Sequence, residues 1–182
     1  MKHRLFACVV VLVVGLGVVA ADKAIEVGGL KGMTPAGWKE EKPTSTLRLA
    51  QYKLEKEKGD SEDAELAVFV SPGGGGIEAN LKRQEVKFKF PEGVKRDDAI
   101  KVSETKVADF KASYQDIKGT FQSRARPGDP SSAVTEKKNF RQLYVIYEND
   151  DKKVISFILV GPEKTIEKHK KDFDGFIKGF KK

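Results

Sequence analysis

The sequence predicts an α+β fold: a largely antiparallel β-sheet flanked by helices, as an α/β/α sandwich over residues 22–182. Several segments alternate apolar and polar residues, which is typical of strands. Short turns join them, which favours antiparallel pairing. Two other segments repeat apolar residues at helical spacing, and these helices are expected to cover the sheet.

The first predicted elements are strands. A short strand is predicted over 24–27, and alternating apolar and polar residues predict another over 45–54. A near-continuous apolar run over 64–70 predicts a central strand that is covered on both faces. Trp38, at the end of a turn, is predicted to fill the core at one end of the sheet.

The first helix is predicted from about 77 to 90. Ile77, Leu81, Gln84 and Phe88 follow one another at spacings of four, three and four, which places them on one helix face. Gln84 puts a polar group on this apolar face, so it lies either at the edge of the face or is hydrogen-bonded within it.

Four more strands follow, with a hairpin turn at 149–151 between the last two. A polar loop rich in Pro, Ser, Arg and Gly is predicted over 122–138. The four predicted strands are 100–107, 110–121, 140–147 and 154–160.

A long helix is predicted at the C-terminus. Pro162 suits the first helical position, and Glu163 suits the positive end of the helix dipole. The predicted apolar face consists of Ile166, His169, Phe173, Phe176, Ile177 and Phe180. His169 is interpreted as a residue at the boundary of the packed face rather than as a catalytic base.

Residues 1–21 have the layout of a secretory signal peptide. A basic start precedes an apolar run over 6–19, and small residues follow that run. The run is shorter than the roughly 20 residues that a membrane-spanning helix needs, so a transmembrane anchor is less favoured. We expect cleavage after Ala20 or Ala21 and export to the periplasm or the medium.

Cleavage would remove the residues that most metal and nucleophile chemistry requires. Cys8, the only cysteine, and His3 lie in the predicted leader, which leaves His169 as the only histidine and a net charge of +5. Zinc sites need clusters of cysteine and histidine. No nucleophile elbow accompanies His169. We therefore expect no enzyme activity, no metal and no cofactor.

Two weaker patterns favour a structural explanation over a functional one. The glycines at 73–76 precede a helix as in phosphate-binding loops, but the Gly-Lys-[Ser/Thr] ending is missing and acidic Glu78 follows, so a flexible connector is favoured. The acidic residues lie mostly in turns and beside lysines. A hydrolase that uses carboxylates alone is therefore the least favoured alternative.

A resemblance covers nearly all of the predicted mature chain. It rests on TPAGW at 34–38, GDSEDAEL at 59–66, GGGIEANL at 74–81, GTF at 119–121 and LVGPEKT at 159–165. Together these stretches resemble a family of small exported bacterial proteins of unknown function, common in planctomycetes. The family's fold is similar to that of the photosystem II extrinsic protein PsbP and the Ran-binding import factor Mog. Relatives usually carry tryptophan where this chain has Gln84. The resemblance implies binding or assembly rather than catalysis.

Basic residues are the remaining indication of function. Long loops in compact domains often carry function, so the predicted loop and the residues after it are the expected contact surface. Its members are Arg124, Arg126, Lys137, Lys138 and Arg141. The expected partner is a protein of the cell envelope. The alternative is an anionic lipid or cell-wall polymer, bound through lysine-rich helix faces. Nucleic acid is not expected outside the cytosol.

Overall fold

The computed structural model of the chain describes residues 22–73, 75–126, 129 and 131–182. The predicted signal peptide over 1–21 lies outside these residues. No helix within the described ranges is long and apolar enough to cross a membrane.

The elements of the described chain are β1 (Lys23–Val27), β2 (Leu30–Thr34), β3 (Lys39–Glu41), β4 (Arg48–Leu54), β5 (Ala64–Ser71), α1 (Gly76–Glu85), β6 (Phe88–Lys89), α2 (Arg96–Ala99), β7 (Ile100–Val107), β8 (Phe110–Arg124), β9 (Val134–Glu148), β10 (Val154–Pro162) and α3 (Glu163–Lys178).

The central feature is an eight-stranded antiparallel sheet, and β1 and β2 form a separate hairpin. The strand order is β3-β4-β5-β10-β9-β8-β6, with β7 also paired to β8. Tyr114 and Gln115 are neighbours on β8 and so point to opposite faces of the sheet. Tyr114 bonds to Asp174 of α3, whereas Gln115 bonds to the Leu81 carbonyl of α1. The two helices therefore cover opposite faces, which confirms the predicted α+β sandwich.

The larger core lies between the sheet and α3. Phe173, Phe176 and Ile177 of α3 are buried in it, together with Phe180. The ring of Trp38 packs edge-on against Phe176, with centroids 5.3 Å apart, and Trp38 is 8% exposed. The prediction that Trp38 is a core residue is confirmed.

A smaller core lies under α1. Ile77 and Leu81 pack on a cluster that includes Tyr144 and Ile146 of β9. Gln84 is buried beside them, and its Oε1 accepts a hydrogen bond of 2.8 Å from Lys87 Nζ. Of the two placements considered for Gln84, the structure shows the hydrogen-bonded one.

Two element boundaries predicted from the sequence are wrong. α1 ends at Glu85, not near residue 90, because Phe88 and Lys89 pair with β8 as the short strand β6. The predicted loop over 122–138 is strand at both ends, because β8 continues to Arg124 and β9 begins at Val134, where the two residues pair. Backbone hydrogen bonds hold these strands together, and such bonds do not require the alternation of apolar and polar residues by which a strand is predicted from sequence.

Candidate functional site

The end of the β8–β9 hairpin extends past the other strands. Gln122 still donates a backbone hydrogen bond of 2.7 Å to the Lys87 carbonyl, beside β6. Beyond it, no third strand of the described chain pairs with β8 or β9. We call the described residues of 123–138 the hairpin arm. Both of its backbone edges are open to a partner.

Local contacts fix the shape of the arm near its end. The Ser132 hydroxyl is buried and lies 3.1 Å from the Arg126 carbonyl and 3.0 Å from the Asp129 carbonyl. Arg126 also pairs with the Asp129 carboxylate at 2.9 Å. Hydrogen bonds from Ser131 hold the pKa of Asp129 below its ordinary value. The arm therefore does not depend on a partner for these contacts.

Four of the five predicted contact residues lie on the arm. Arg124, Arg126 and Lys138 are exposed. Arg124 donates from Nη1 to the Ser132 carbonyl at 3.4 Å. Lys137 is half-buried and pairs with Glu62 at 2.6 Å. Lys137 and Lys138 are neighbours on β9 and so point to opposite faces of the hairpin, which leaves Arg124, Arg126 and Lys138 as its exposed basic residues.

Arg141, the fifth predicted contact residue, is placed elsewhere. It is only 5% exposed and lies on the α3 face of the sheet. Its guanidinium donates to both carboxylate oxygens of Asp116 and also to Glu167 of α3. Pairing with Asp116 raises the pKa of Arg141. Arg141 is therefore an internal ion-pair residue and not part of the exposed surface.

A cleft of about 490 Å³ lies beside the base of the arm, where Lys137 reaches Glu62. We call it the charged cleft, because six of its eight lining residues are ionisable. The lining residues are Glu41, Lys53, Lys56, Ser61, Glu62, Asp63, Ala64 and Glu65.

Gln51 positions two carboxylates of the charged cleft. Its buried Nε2 donates to Glu41 Oε2 at 3.3 Å and to Glu65 Oε2 at 3.1 Å. Its Oε1 accepts from Arg48 Nη1 at 2.7 Å and from the Thr44 amide at 3.1 Å. This role leaves no mark in the sequence, because a glutamine within an alternating strand looks like any other polar position.

Two carboxylates of the charged cleft, Asp63 and Glu62, are paired with lysines. Asp63 accepts the Lys56 amide at 2.9 Å and pairs with Lys53 at 3.3 Å. The hydrogen bond from the Lys56 amide lowers the pKa of Asp63, whereas a general acid needs a raised one. Glu62 is 43% exposed and paired with Lys137. These groups serve charge complementarity better than proton transfer.

His169 and the acidic residues give no metal centre within the described ranges, where no group of three or more His, Cys, Asp or Glu side chains is arranged to hold an ion. His169 Nε2 lies 2.8 Å from the Glu55 carbonyl, so that ring nitrogen carries the donated proton. The histidine joins α3 to the end of β4.

A second, smaller cleft of about 190 Å³ lies between β7 and α3, and we call it the edge cleft. Within it Tyr114 donates to Asp174 Oδ1 at 2.9 Å, and Lys170 donates to Asp174 Oδ2 at 2.6 Å. Burial, together with the Asp174 charge, raises the pKa of Tyr114. The lining residues are Ser103, Glu104, Thr105, Tyr114, Lys170, Asp174, Ile177 and Lys178.

Comparison with known proteins shows similarity to a solved structure. No protein-family model matches the chain, and no curated protein matches it. The chain is similar to the solution structure of cyanobacterial PsbP (CyanoP) from Synechocystis sp. PCC 6803. The identity is 16%, the alignment covers 97% of this chain and 98% of that chain, and the TM-score is 0.47.

Proposed function

We propose that this chain is an exported, non-enzymatic binding domain that contacts a protein partner in the cell envelope through the hairpin arm. The observation that carries the proposal is the arm itself, a paired two-stranded extension that no other strand of the described chain covers. The predicted leader over 1–21 supports the envelope location.

The side chains of the arm suit a protein interface. Arg124 and Arg126 are exposed, and arginine is enriched at interfaces because its planar head donates several hydrogen bonds. Val134 is 39% exposed and offers apolar contact at the same end of the hairpin. The contacts of Ser132 and Arg126 within the arm already order it, so less conformational entropy is lost when a partner binds.

The charged cleft at the base of the arm adds specificity. Charges of both signs lie close together there, and such surfaces select orientation and partner more than they add affinity. The exposed basic residues of the arm favour a partner that presents carboxylates. We infer an acidic contact surface on the partner, met first by Arg126 and Lys138.

Affinity capture from an envelope extract tests this function. The double variant Arg126→Glu with Lys138→Glu reverses the charge of the arm. The control variant, Lys42→Glu with Lys164→Glu, makes the same change in net charge at two exposed lysines outside the arm. We expect the wild type and the control to retain the same protein and the arm variant to lose it. Capture of no protein by the wild type, or equal capture by all three, contradicts the proposal.

A second candidate function is binding to an anionic lipid or polymer. Lys164, Lys171 and Lys178 follow one another at seven-residue steps on α3, which places them in a row at intervals of about 10 Å. All three are exposed and form no ion pair with the described residues. Such a row can meet several anionic groups on one surface at the same time.

Vesicle sedimentation separates this candidate from protein binding. Vesicles of phosphatidylcholine with and without phosphatidylglycerol provide the anionic surface and its neutral control. We expect binding only to the anionic vesicles, weakening as salt rises, and a loss of binding in Lys171→Glu with Lys178→Glu. Binding that ignores salt, or that the double variant retains, contradicts a role for the lysine row.

A further inference from the structure

One long edge of the main sheet is open. β7 pairs with β8 along its whole length, and no other strand of the described chain pairs with its outer side. Residues 101–104 and Lys106 are exposed. An open strand edge can template the addition of another strand, so proteins usually cover or shorten such edges.

The hairpin register shows which backbone groups are available. A two-residue turn joins β7 to β8 after the pair Val107 and Phe110, which exchange both of their backbone hydrogen bonds. From that pair onward, hydrogen-bonded and non-hydrogen-bonded residue pairs alternate along the two strands. The N–H and C=O groups of Val102, Glu104 and Lys106 therefore point away from β8, toward the open side.

An added strand would find side-chain contacts on both faces. Ser103 lies opposite Tyr114, on the α3 face, where the edge cleft has Tyr114 and Ile177 among its walls. Val102 lies opposite Gln115, on the α1 face, and is 52% exposed. Alternate side chains of an added strand would enter the edge cleft, and the others would cover Val102.

The charges around this edge favour an acidic strand. Lys106 of β7 and Lys111 of β8 are directly opposite each other, an arrangement that destabilises a sheet. Neither lysine forms an ion pair with the described residues, and neither does Lys178 in the edge cleft. Of the two carboxylates that line the cleft, Asp174 is already paired with Lys170 at 2.6 Å, which leaves Glu104 against three unpaired lysines. Carboxylates on an added strand would meet the unpaired lysines.

We propose that the open edge of β7 binds an extended, acidic segment of a protein partner by β-strand addition. The segment pairs with the outward backbone groups of Val102, Glu104 and Lys106 and places alternate side chains in the edge cleft. This deepens the proposed function, on which it rests, by naming the chemistry of a partner segment. It uses a surface separate from the hairpin arm.

A peptide titration followed by NMR tests the proposal on the whole chain. The probe is a capped peptide of alternating valine and glutamate. We expect it to slow amide hydrogen exchange at Val102, Glu104 and Lys106 by on the order of tenfold, because those amides become hydrogen-bonded. A peptide of alternating valine and lysine should not bind. The glutamate peptide should also fail when alternate amides are N-methylated.

Protein variants supply the matched control. Lys106→Glu with Lys111→Glu should weaken binding of the glutamate peptide about tenfold or more, whereas the same charge change at exposed Lys42 and Lys58, as Lys42→Glu with Lys58→Glu, should leave it unchanged. No binding at millimolar peptide, or protection of other amides instead of these three, overturns the proposal. The titration needs no envelope partner, so it is independent of the affinity capture that tests the arm. If the peptide does not bind but the arm still captures its partner, the β7 site alone is rejected.

Discussion

Arg141 of β9 donates two parallel hydrogen bonds to the carboxylate of Asp116 on β8, from Nε to Oδ1 at 2.8 Å and from Nη2 to Oδ2 at 2.6 Å. The Arg141 side chain is 6% exposed and that of Asp116 is 17% exposed. Arg141 also donates to Glu167, so the group joins both long strands to α3. Removing one partner would leave the other charge buried within the fold.

Arg141→Ala should therefore lower the free energy of unfolding by about 3 kcal/mol, because Asp116 loses its counter-charge. Urea denaturation followed by circular dichroism measures the change. The control is Arg126→Ala, whose side chain is 73% exposed and whose loss should cost much less than that of Arg141. Equal effects of the two variants would contradict the assignment of Arg141 to an internal ion pair.

Two glycine substitutions should change the stability of the fold in opposite directions. A Cβ on Gly161 of β10 would lie 2.8 Å from the Cα of Ala64, so Gly161→Ala should cost about 1–3 kcal/mol through overpacking. A Cβ on Gly175 of α3 would meet no atom within 4 Å. Gly175→Ala should therefore stabilise by about 0.5–1 kcal/mol, through helix propensity. Melting temperatures of the two variants check both signs, and a stabilising Gly161→Ala would contradict the strand packing described here.

Asp60 should act as a cap for α3 from outside the helix. Its Oδ2 accepts the Thr165 amide at 2.9 Å and the Thr165 hydroxyl at 2.6 Å, near the start of α3. Asp60→Ala should lower the free energy of unfolding by about 1–2 kcal/mol. Asp151→Ala is the matched control, since that side chain is 69% exposed. Equal denaturant midpoints for the two variants would argue against the cap.

Tyr147 should make stability sensitive to alkaline pH. Burial raises its pKa to about 12, and its hydroxyl has no hydrogen-bond partner among the described residues. In the unfolded chain the Tyr147 hydroxyl ionises near pH 10. The free energy of unfolding is therefore unaffected by this group below pH 10 and falls as pH rises from 10 toward 12, where only the unfolded chain is ionised. Tyr147→Phe should be as stable as the wild type at pH 7 and lose less stability between pH 10 and 12. Denaturation at a series of pH values measures this, and an unchanged alkaline loss would contradict it.

The parts of the fold that bury an apolar face could be predicted from the sequence. The apolar run over 154–160 indicated β10, and the spacing of Ile166, Phe173 and Phe176 indicated α3, because burial forces these patterns. The hairpin arm has no buried apolar face among the described residues. Its strands are held by backbone bonds, such as those between Arg124 and Val134, which leave no periodic pattern in the sequence.

The candidate site was only partly accessible to the same reasoning. Basic composition indicated the region of Arg124, Arg126 and Lys138, which the structure leaves exposed. Arg141 looked equivalent in the sequence, but its partner Asp116 lies 25 residues away and is brought beside it only by strand pairing. The open edge of β7 was not predicted either, since edge and central positions depend on strand order rather than on local sequence.

Site-specific photo-crosslinking in the producing cells tests the central claim, binding of an envelope protein through the hairpin arm, most directly. A photoreactive residue would replace Arg126 or Lys138 in the arm, and exposed Lys42 would serve as the control position. We predict one discrete adduct with the same envelope protein from both arm positions and none from position 42. The absence of a discrete adduct from the arm, or identical adducts from all three positions, would contradict the account.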